Sequence, residues 1–246
     1  MGVPFQVSFL LLALFGFVQS GVMPEQKCKL DDKKCLVSAF QKMVPVFMAG
    51  IPEADIAVLD PMEMDDVSFD IAGFQFSLKG GRLKGLKNSV IDDVDWDTKK
   101  KILSFVFHSA VSAKGHYTAG GQLLILPISG DGDSSLKLSN VKLLENLEIK
   151  AFIHYDIVKD SEGKDHIKPK KFHFDFEVKE GAHFHLSNLF NGNKELSDNL
   201  LKFINENWYQ VSNEFGRPFT NVAAKAIYKN IVKYFEKVPI QDITVA

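Results

Sequence analysis

The sequence predicts an α+β fold in which a highly curved antiparallel sheet wraps a long bent C-terminal helix, with a short N-terminal helix ahead of the sheet. Three observations carry this. Apolar residues recur at helical spacing after the cysteines, alternate with polar residues through the middle of the chain, and return to helical spacing from Leu196. The sheet's apolar face needs a cover and the helix's apolar stripe needs a wall, so each satisfies the other.

Residues 1–20 read as a signal peptide. Val7 to Val18 is an uncharged apolar run followed by small residues at Ser20 and Gly21. That length suits a signal-peptide core, whereas a membrane span needs about 20 apolar residues. No later segment is long and apolar enough to span a bilayer, so stable membrane insertion is not expected. Residues 21–246 then form a single domain, undivided by a repeat or linker. The only cysteines, Cys28 and Cys35, follow the cleavage region. In an oxidising compartment their natural pairing is a disulfide closing a small loop. The rival reading, a zinc pair, lacks nearby His or further Cys ligands.

Leu36, Val37, Phe40, Val44, Phe47 and Met48 predict the N-terminal helix, with Pro45 as a kink or break inside it and Gly50-Ile51-Pro52-Glu53 as its end. From residue 64 to 186 the period is two. Phe74, Phe76 and Leu78 share a face, as do Phe105 and Phe107, and Leu124, Leu126 and Ile128 after a Gly120-Gly121 break. Leu143, Leu147, Ile149, Ala151, Ile153, Tyr155 and Ile157 share another. Phe172, Phe174, Phe176 and Val178 oppose His173, Asp175, Glu177 and Lys179. One apolar face at period two means an antiparallel sheet covered on one side. Turns are expected at Lys79-Gly80-Gly81, Ser129 to Asp133, and Asp160 to Gly163. Leu196, Leu200, Phe203, Ile204, Trp208, Val211 and Phe215 form a helical stripe. After Gly216-Arg217-Pro218 a second stripe runs from Phe219 through Val222, Ala223, Ala226, Ile227 and Ile231 to Phe235. Pro218 is expected to kink or break the helix and Pro239 to end it.

Composition narrows the function. Twenty-nine Lys and Arg against 31 Asp and Glu leave a formal charge of −2, without the basic excess of a nucleic-acid binder. Lys168 to Lys171, broken by Pro169, reads as a solvated turn. The chain has no Gly-x-Ser-x-Gly elbow, phosphate-cradling loop or His-Glu-x-x-His, so no catalytic residue is assigned. The run Asp92, Asp93, Asp95, Asp97 lacks the Gly and Glu of a calcium loop and reads as a charged hairpin turn. His173, His183 and His185 read as a solvated strand face, so no metal site is expected, and no cofactor is implied. Twenty-one Phe residues are more than an average composition supplies. They either fill a dense core or line a cavity.

Several motifs in order along the chain resemble the takeout and juvenile-hormone-binding family of insect secreted carriers. They are the Cys28/Cys35 pair, Gly50-Ile51-Pro52-Glu53, Asp60-Pro61-Met62, Gly85-Leu86, the stretch from Tyr117 through Leu123-Leu124-Ile125-Leu126-Pro127-Ile128 to Gly132, Asn188-Leu189-Phe190-Asn191-Gly192 and Asn205-Glu206-Asn207-Trp208. The resemblance implies an elongated tubular lipid-binding fold with an internal apolar tunnel. It also implies carriage of a hydrophobic ligand, such as a juvenile hormone, fatty acyl chain or isoprenoid, in haemolymph or sensory fluid. Dedicated hormone carriers of the family usually have a second disulfide. Its absence here favours the takeout-like branch.

The site is therefore expected in the interior. From the sheet, Phe105, Phe107, Ile153, Tyr155, Phe174 and Phe176 are expected to line it. The C-terminal helix adds Phe203, Val211 and Phe215, and the N-terminal helix adds Phe40 and Val44. Tyr155 shares parity with inward residues, and its hydroxyl either meets a ligand oxygen or is satisfied by the protein or water. A ligand of about 15 carbons gains on the order of 12 kcal/mol by burial, of which binding entropy removes several. The partner expected is this small hydrophobic ligand, with a receptor or tissue protein as a further class of partner. The alternative is a secreted protein-interaction or membrane-docking module, which predicts a solid core. A hydrolase of lipophilic esters or epoxides would need a nucleophile with a His in reach.

Overall fold

The computed structural model describes residues 23–138 and 147–245. The expected signal peptide, and Leu143 of the expected long strand, lie outside the described residues.

Helix α1 (Lys33–Ala49) begins where the Asp32 carboxylate accepts a hydrogen bond from the Cys35 N–H at 3.0 Å, which satisfies an otherwise unpaired first-turn donor. It ends at Gly50, whose φ of 84° takes the chain out of the helix. Pro45 neither splits nor ends it. Its buried face is Leu36, Ala39, Val44 and Met48. Cys28 and Cys35 are disulfide-bonded, tying the preceding segment to the first turn of α1. That segment also pairs with the far end of the chain. The Cys28 N–H donates to the Ile243 carbonyl at 3.4 Å, and the Val245 N–H donates to the Cys28 carbonyl at 3.1 Å.

The strands are β1 (Met62–Glu63), β2 (Val67–Ile71), β3 (Phe74–Lys84), β4 (Val90–Asp97), β5 (Ile102–Ser109), β6 (Val111–Leu123), β7 (Leu126–Leu138), β8 (Leu147–Lys159), β9 (Asp165–Val178) and β10 (His183–Leu186). All the ladders are antiparallel. Hydrogen bonds divide the curled sheet into two parts, one ordered β1-β3-β6-β7-β10 with β2 also on β3, the other ordered β4-β5-β8-β9. Strands β5 and β6 are one run of chain interrupted at Ala110, so a single bent segment serves both parts.

Two of the three expected turns are strand instead. Lys79-Gly80-Gly81 lies within β3, where the register with β6 shifts, and Ser129 to Asp133 lies within β7. Gly120-Gly121 likewise belongs to β6. The β6–β7 turn is Leu124-Ile125, with Leu124 at φ 55° and Ile125 73% exposed. Gly130 and Gly132 are needed for close approach rather than for a turn. A Cβ on Gly130 would stand 2.3 Å from the Tyr117 Oη, and one on Gly132 2.7 Å from the Ser187 carbonyl oxygen. The acidic run is also strand, since Asp92, Asp93, Asp95 and Asp97 all lie on β4, and Asp97, its last residue, caps the Lys100 N–H of the following turn at 2.8 Å. Lys168 to Lys171 belongs to β9, the edge strand. Pro169 sits opposite Tyr155 at a register shift, a position where its missing N–H is tolerated. The turn at Asp160 to Gly163 is where the sequence places it.

The C-terminal helix comes in three consecutive segments, α2 (Lys194–Glu206), α3 (Trp208–Phe215) and α4 (Arg217–Lys237), followed by the short α5 (Ile240–Ile243). Pro218 starts α4 rather than kinking it, because a first-turn N–H has no helical partner to lose. The break falls at Gly216. A second break at Asn207 has no proline to announce it. There the Asn207 amide and backbone N–H both donate to the Phe203 carbonyl, at 2.8 and 3.0 Å. Helix α4 packs against β9 and β2, and α1 packs against β4.

Candidate functional site

Two apolar cavities lie along α4. The first has a volume of about 220 Å³, larger than the roughly 150 Å³ apolar cavity that stays dry and accepts benzene. Its walls are Phe69, Phe74 and Phe76 from β2–β3, Phe176 from β9, and Phe215 and Phe219 from the C-terminal helix. Their rings pack on one another. Phe69 stacks on Phe76 at 5.6 Å and meets Phe219 edge-on at 5.7 Å, while Phe74 meets Phe215 edge-on at 5.0 Å. Such contacts fix the rings of the wall against one another.

The second cavity, about 160 Å³, is bounded by α1, β4–β5 and the later turns of α4. Phe40, Val44, Trp96, Ile153, Tyr234 and Phe235 stand in its wall. Phe105, Phe107 and Ile227 belong to both walls, so the cavities meet at these three side chains. One face of α4 supplies the order. At four-residue steps Phe219, Ala223 and Ile227 face the first cavity, then Ile227, Ile231 and Phe235 face the second. Together the two volumes fall within the roughly 300–1,000 Å³ typical of small-molecule sites. Among the described residues, neither wall carries a His, Asp or Glu.

The structure brings eight of the expected residues to these walls. Phe105 and Phe107 stand at the junction, Phe40, Val44 and Ile153 line the second cavity, and Phe176, Val211 and Phe215 line the first. Three stand elsewhere. Tyr155 is buried, but its Oη accepts a hydrogen bond from the Trp96 indole N–H at 3.0 Å, which fixes the tryptophan that lines the second cavity. Burial pushes the Tyr155 pKa up, opposed by that hydrogen bond. Phe174 is buried against Ala151 and Ala224, and the Arg217 guanidinium lies 4.4 Å over its ring, a cation–π contact. Arg217 also donates to the Phe174 carbonyl at 3.1 Å. Phe203 is half-buried against the core and reaches neither cavity.

Sequence reasoning missed Trp96, Ile227, Tyr234 and Phe235 as wall residues. Trp96 was hidden in the acidic run, although Val94 and Trp96 do alternate with Asp93, Asp95 and Asp97. Ile227 and Phe235 sat on the recognised stripe and Tyr234 beside it, but periodicity cannot separate a face that packs from one that borders a void. His173, His183 and His185 are exposed, and no group of His, Cys, Asp and Glu suited to a metal occurs among the described residues.

Comparison with known proteins agrees with this fold. The solved structure of Epiphyas postvittana Takeout 1 is 51% identical and superposes with a TM-score of 0.85, covering 89% of this chain and 99% of that one. The circadian clock-controlled protein daywake of Drosophila melanogaster is 29% identical over 231 residues, 89% of this chain and 86% of that protein. The juvenile hormone-binding protein of Manduca sexta is 26% identical over 181 residues, 72% of each chain. Residues 9–245 match the family described as haemolymph juvenile hormone binding protein, a family of binding proteins, and this chain belongs to it.

Proposed function

We propose that the chain is a secreted carrier enclosing one small hydrophobic molecule in the two cavities along α4, joined as one tunnel. The ligand classes that suit it are a juvenile hormone, a fatty acyl chain or an isoprenoid. The observation that carries this reading is the pair of aromatic-walled voids meeting at Phe105, Phe107 and Ile227. A solid core, as the docking-module alternative requires, has no such space. The relative named for binding juvenile hormone supports the ligand class. Removal of residues 1–20 would leave residues 21–246 as one ligand-binding domain. Secretion is supported by the cysteine pairing and by membership of a family described as haemolymph binding proteins. No described helix is long and apolar enough to cross a membrane.

Native mass spectrometry of protein secreted from insect cells tests the reading. A fraction should carry a single added mass that organic extraction releases as a lipid or terpenoid. A ligand-free protein that also fails to take up added long-chain esters would contradict it.

A further inference from the structure

Tyr234 stands in the wall of the second cavity, on α4 just before Phe235, with the Phe47 ring edge-on at 6.3 Å. The other polar groups of that wall are already engaged. The Trp96 N–H donates to Tyr155, the Ser89 hydroxyl donates to the Leu86 carbonyl at 2.7 Å, and the Gln26 amide rests on the Cys35 sulfur at 3.1 Å. Tyr234 is half-buried, whereas the two fully buried tyrosines are engaged, since Tyr117 donates to the Ser187 carbonyl at 2.7 Å and Tyr155 accepts from Trp96. The Tyr234 hydroxyl has no hydrogen-bond partner among the described residues. Burial alone acts on it, pushing its pKa up to about 12, so it stays protonated and able to donate at neutral pH.

We infer that the Tyr234 hydroxyl is the polar anchor of the second cavity, donating a hydrogen bond to one carbonyl, ester or ether oxygen of an otherwise hydrocarbon ligand. This rests on the carrier reading. The ligand's tail then runs past Ile227 toward the first cavity, where the walls are richest in phenylalanine. A cavity wall with one donor that the protein leaves unpaired favours a chain with one oxygen function over a plain hydrocarbon, because the oxygen gives that donor a partner inside the cavity. The first cavity also holds Ser135 and Ser212, whose hydroxyls have no hydrogen-bond partner among the described residues. They are poorer anchors. Ser212 on α3 can turn to a carbonyl one turn back on its own helix, whereas the Tyr234 hydroxyl, at the end of a rigid ring, cannot fold back onto its own helix.

The test is displacement of phenylnaphthylamine from the delipidated full chain by methyl laurate and by pentadecane, a hydrocarbon of similar length. Tyr234→Phe and Ser212→Ala are compared with the parent, and circular dichroism confirms that each is folded. Tyr234→Phe should weaken methyl laurate about fivefold, the worth of one neutral hydrogen bond, and leave pentadecane within about twofold. Ser212→Ala should leave the preference for the ester intact. Equal effects of Tyr234→Phe on both ligands, no effect on either, or loss of the ester preference in Ser212→Ala would overturn the anchor while leaving the carrier reading standing. Failure of the parent to bind either ligand would overturn both.

Discussion

Trp96 and Tyr155 show how one polar contact sets a cavity wall. The indole N–H and the phenol oxygen pair at 3.0 Å in the interior, and Trp96 then meets Phe235 edge-on at 6.1 Å across the second cavity. Replacing Tyr155 by Phe strands a buried N–H, so Tyr155→Phe should destabilise the fold by about 1–3 kcal/mol in urea unfolding. It should not change the ratio of affinities for oxygenated and hydrocarbon ligands. A selective loss of oxygenated ligands would instead place Tyr155 at the site. Gly130 is a second sensitive residue. Its Cβ would collide with the Tyr117 hydroxyl, and that hydroxyl holds the Ser187 carbonyl over β7. Gly130→Ala is expected to cost about 1–3 kcal/mol, read as a lowered urea midpoint. The inward parity of Tyr155 was legible in the sequence. Its partner was not, because Trp96 lies 59 residues away and only the pairing of β4, β5 and β8 brings the two together.

At the scale of elements, the second cavity depends on α1 and on the two ends of the chain. Cys28 lines that cavity and pairs with both Cys35 and the Ile243–Val245 segment. Replacing both cysteines by Ser should cost about 2–3 kcal/mol through the freed unfolded chain. Binding at the second cavity should weaken with it, as seen in thermal unfolding and ligand titration of the variant beside the parent. The β8–β9 hairpin has its own tie. Asp160 accepts from the Lys164 N–H at 2.9 Å and the Glu162 N–H at 2.8 Å and meets His166, whose other ring nitrogen faces the Phe235 carbonyl at 3.0 Å. Those backbone N–H bonds, the Lys164 one foremost, hold the Asp160 pKa below its ordinary value of 3.8. A depressed carboxyl stabilises the fold above its unfolded pKa and loses that contribution as pH falls through the folded value. Asp160→Asn should therefore flatten the loss of stability below about pH 4 in acid titration followed by circular dichroism. The elements themselves were largely legible, since alternation marked the strands and helical spacing marked α1 and α4. Glycine runs misled because Gly130 and Gly132 make room for neighbours brought from distant sequence. The break at Asn207 left no signal because no proline marks it, only an asparagine whose side-chain amide and backbone N–H share the Phe203 carbonyl.

For the whole molecule, the defining feature is that one face of α4 borders two voids in succession, with Phe105, Phe107 and Ile227 between them. The resemblance of ordered motifs made the fold readable from the sequence. The voids were less so, because a core and a cavity wall use the same residues, and only the distance between facing elements separates them. Phe174 illustrates this, since its neighbours in parity reach a cavity while Ala151, Ala224 and Arg217 close around it. Ligand binding should also raise stability, by about 2.7 kcal/mol at a free concentration one hundred times Kd. The decisive measurement is the binding isotherm of phenylnaphthylamine on the delipidated chain and on Ile227→Trp, which fills the junction of the two cavities. Enclosure predicts saturable binding by the parent and its loss in a folded Ile227→Trp variant. Unchanged binding in that variant, or none in the parent, would contradict it.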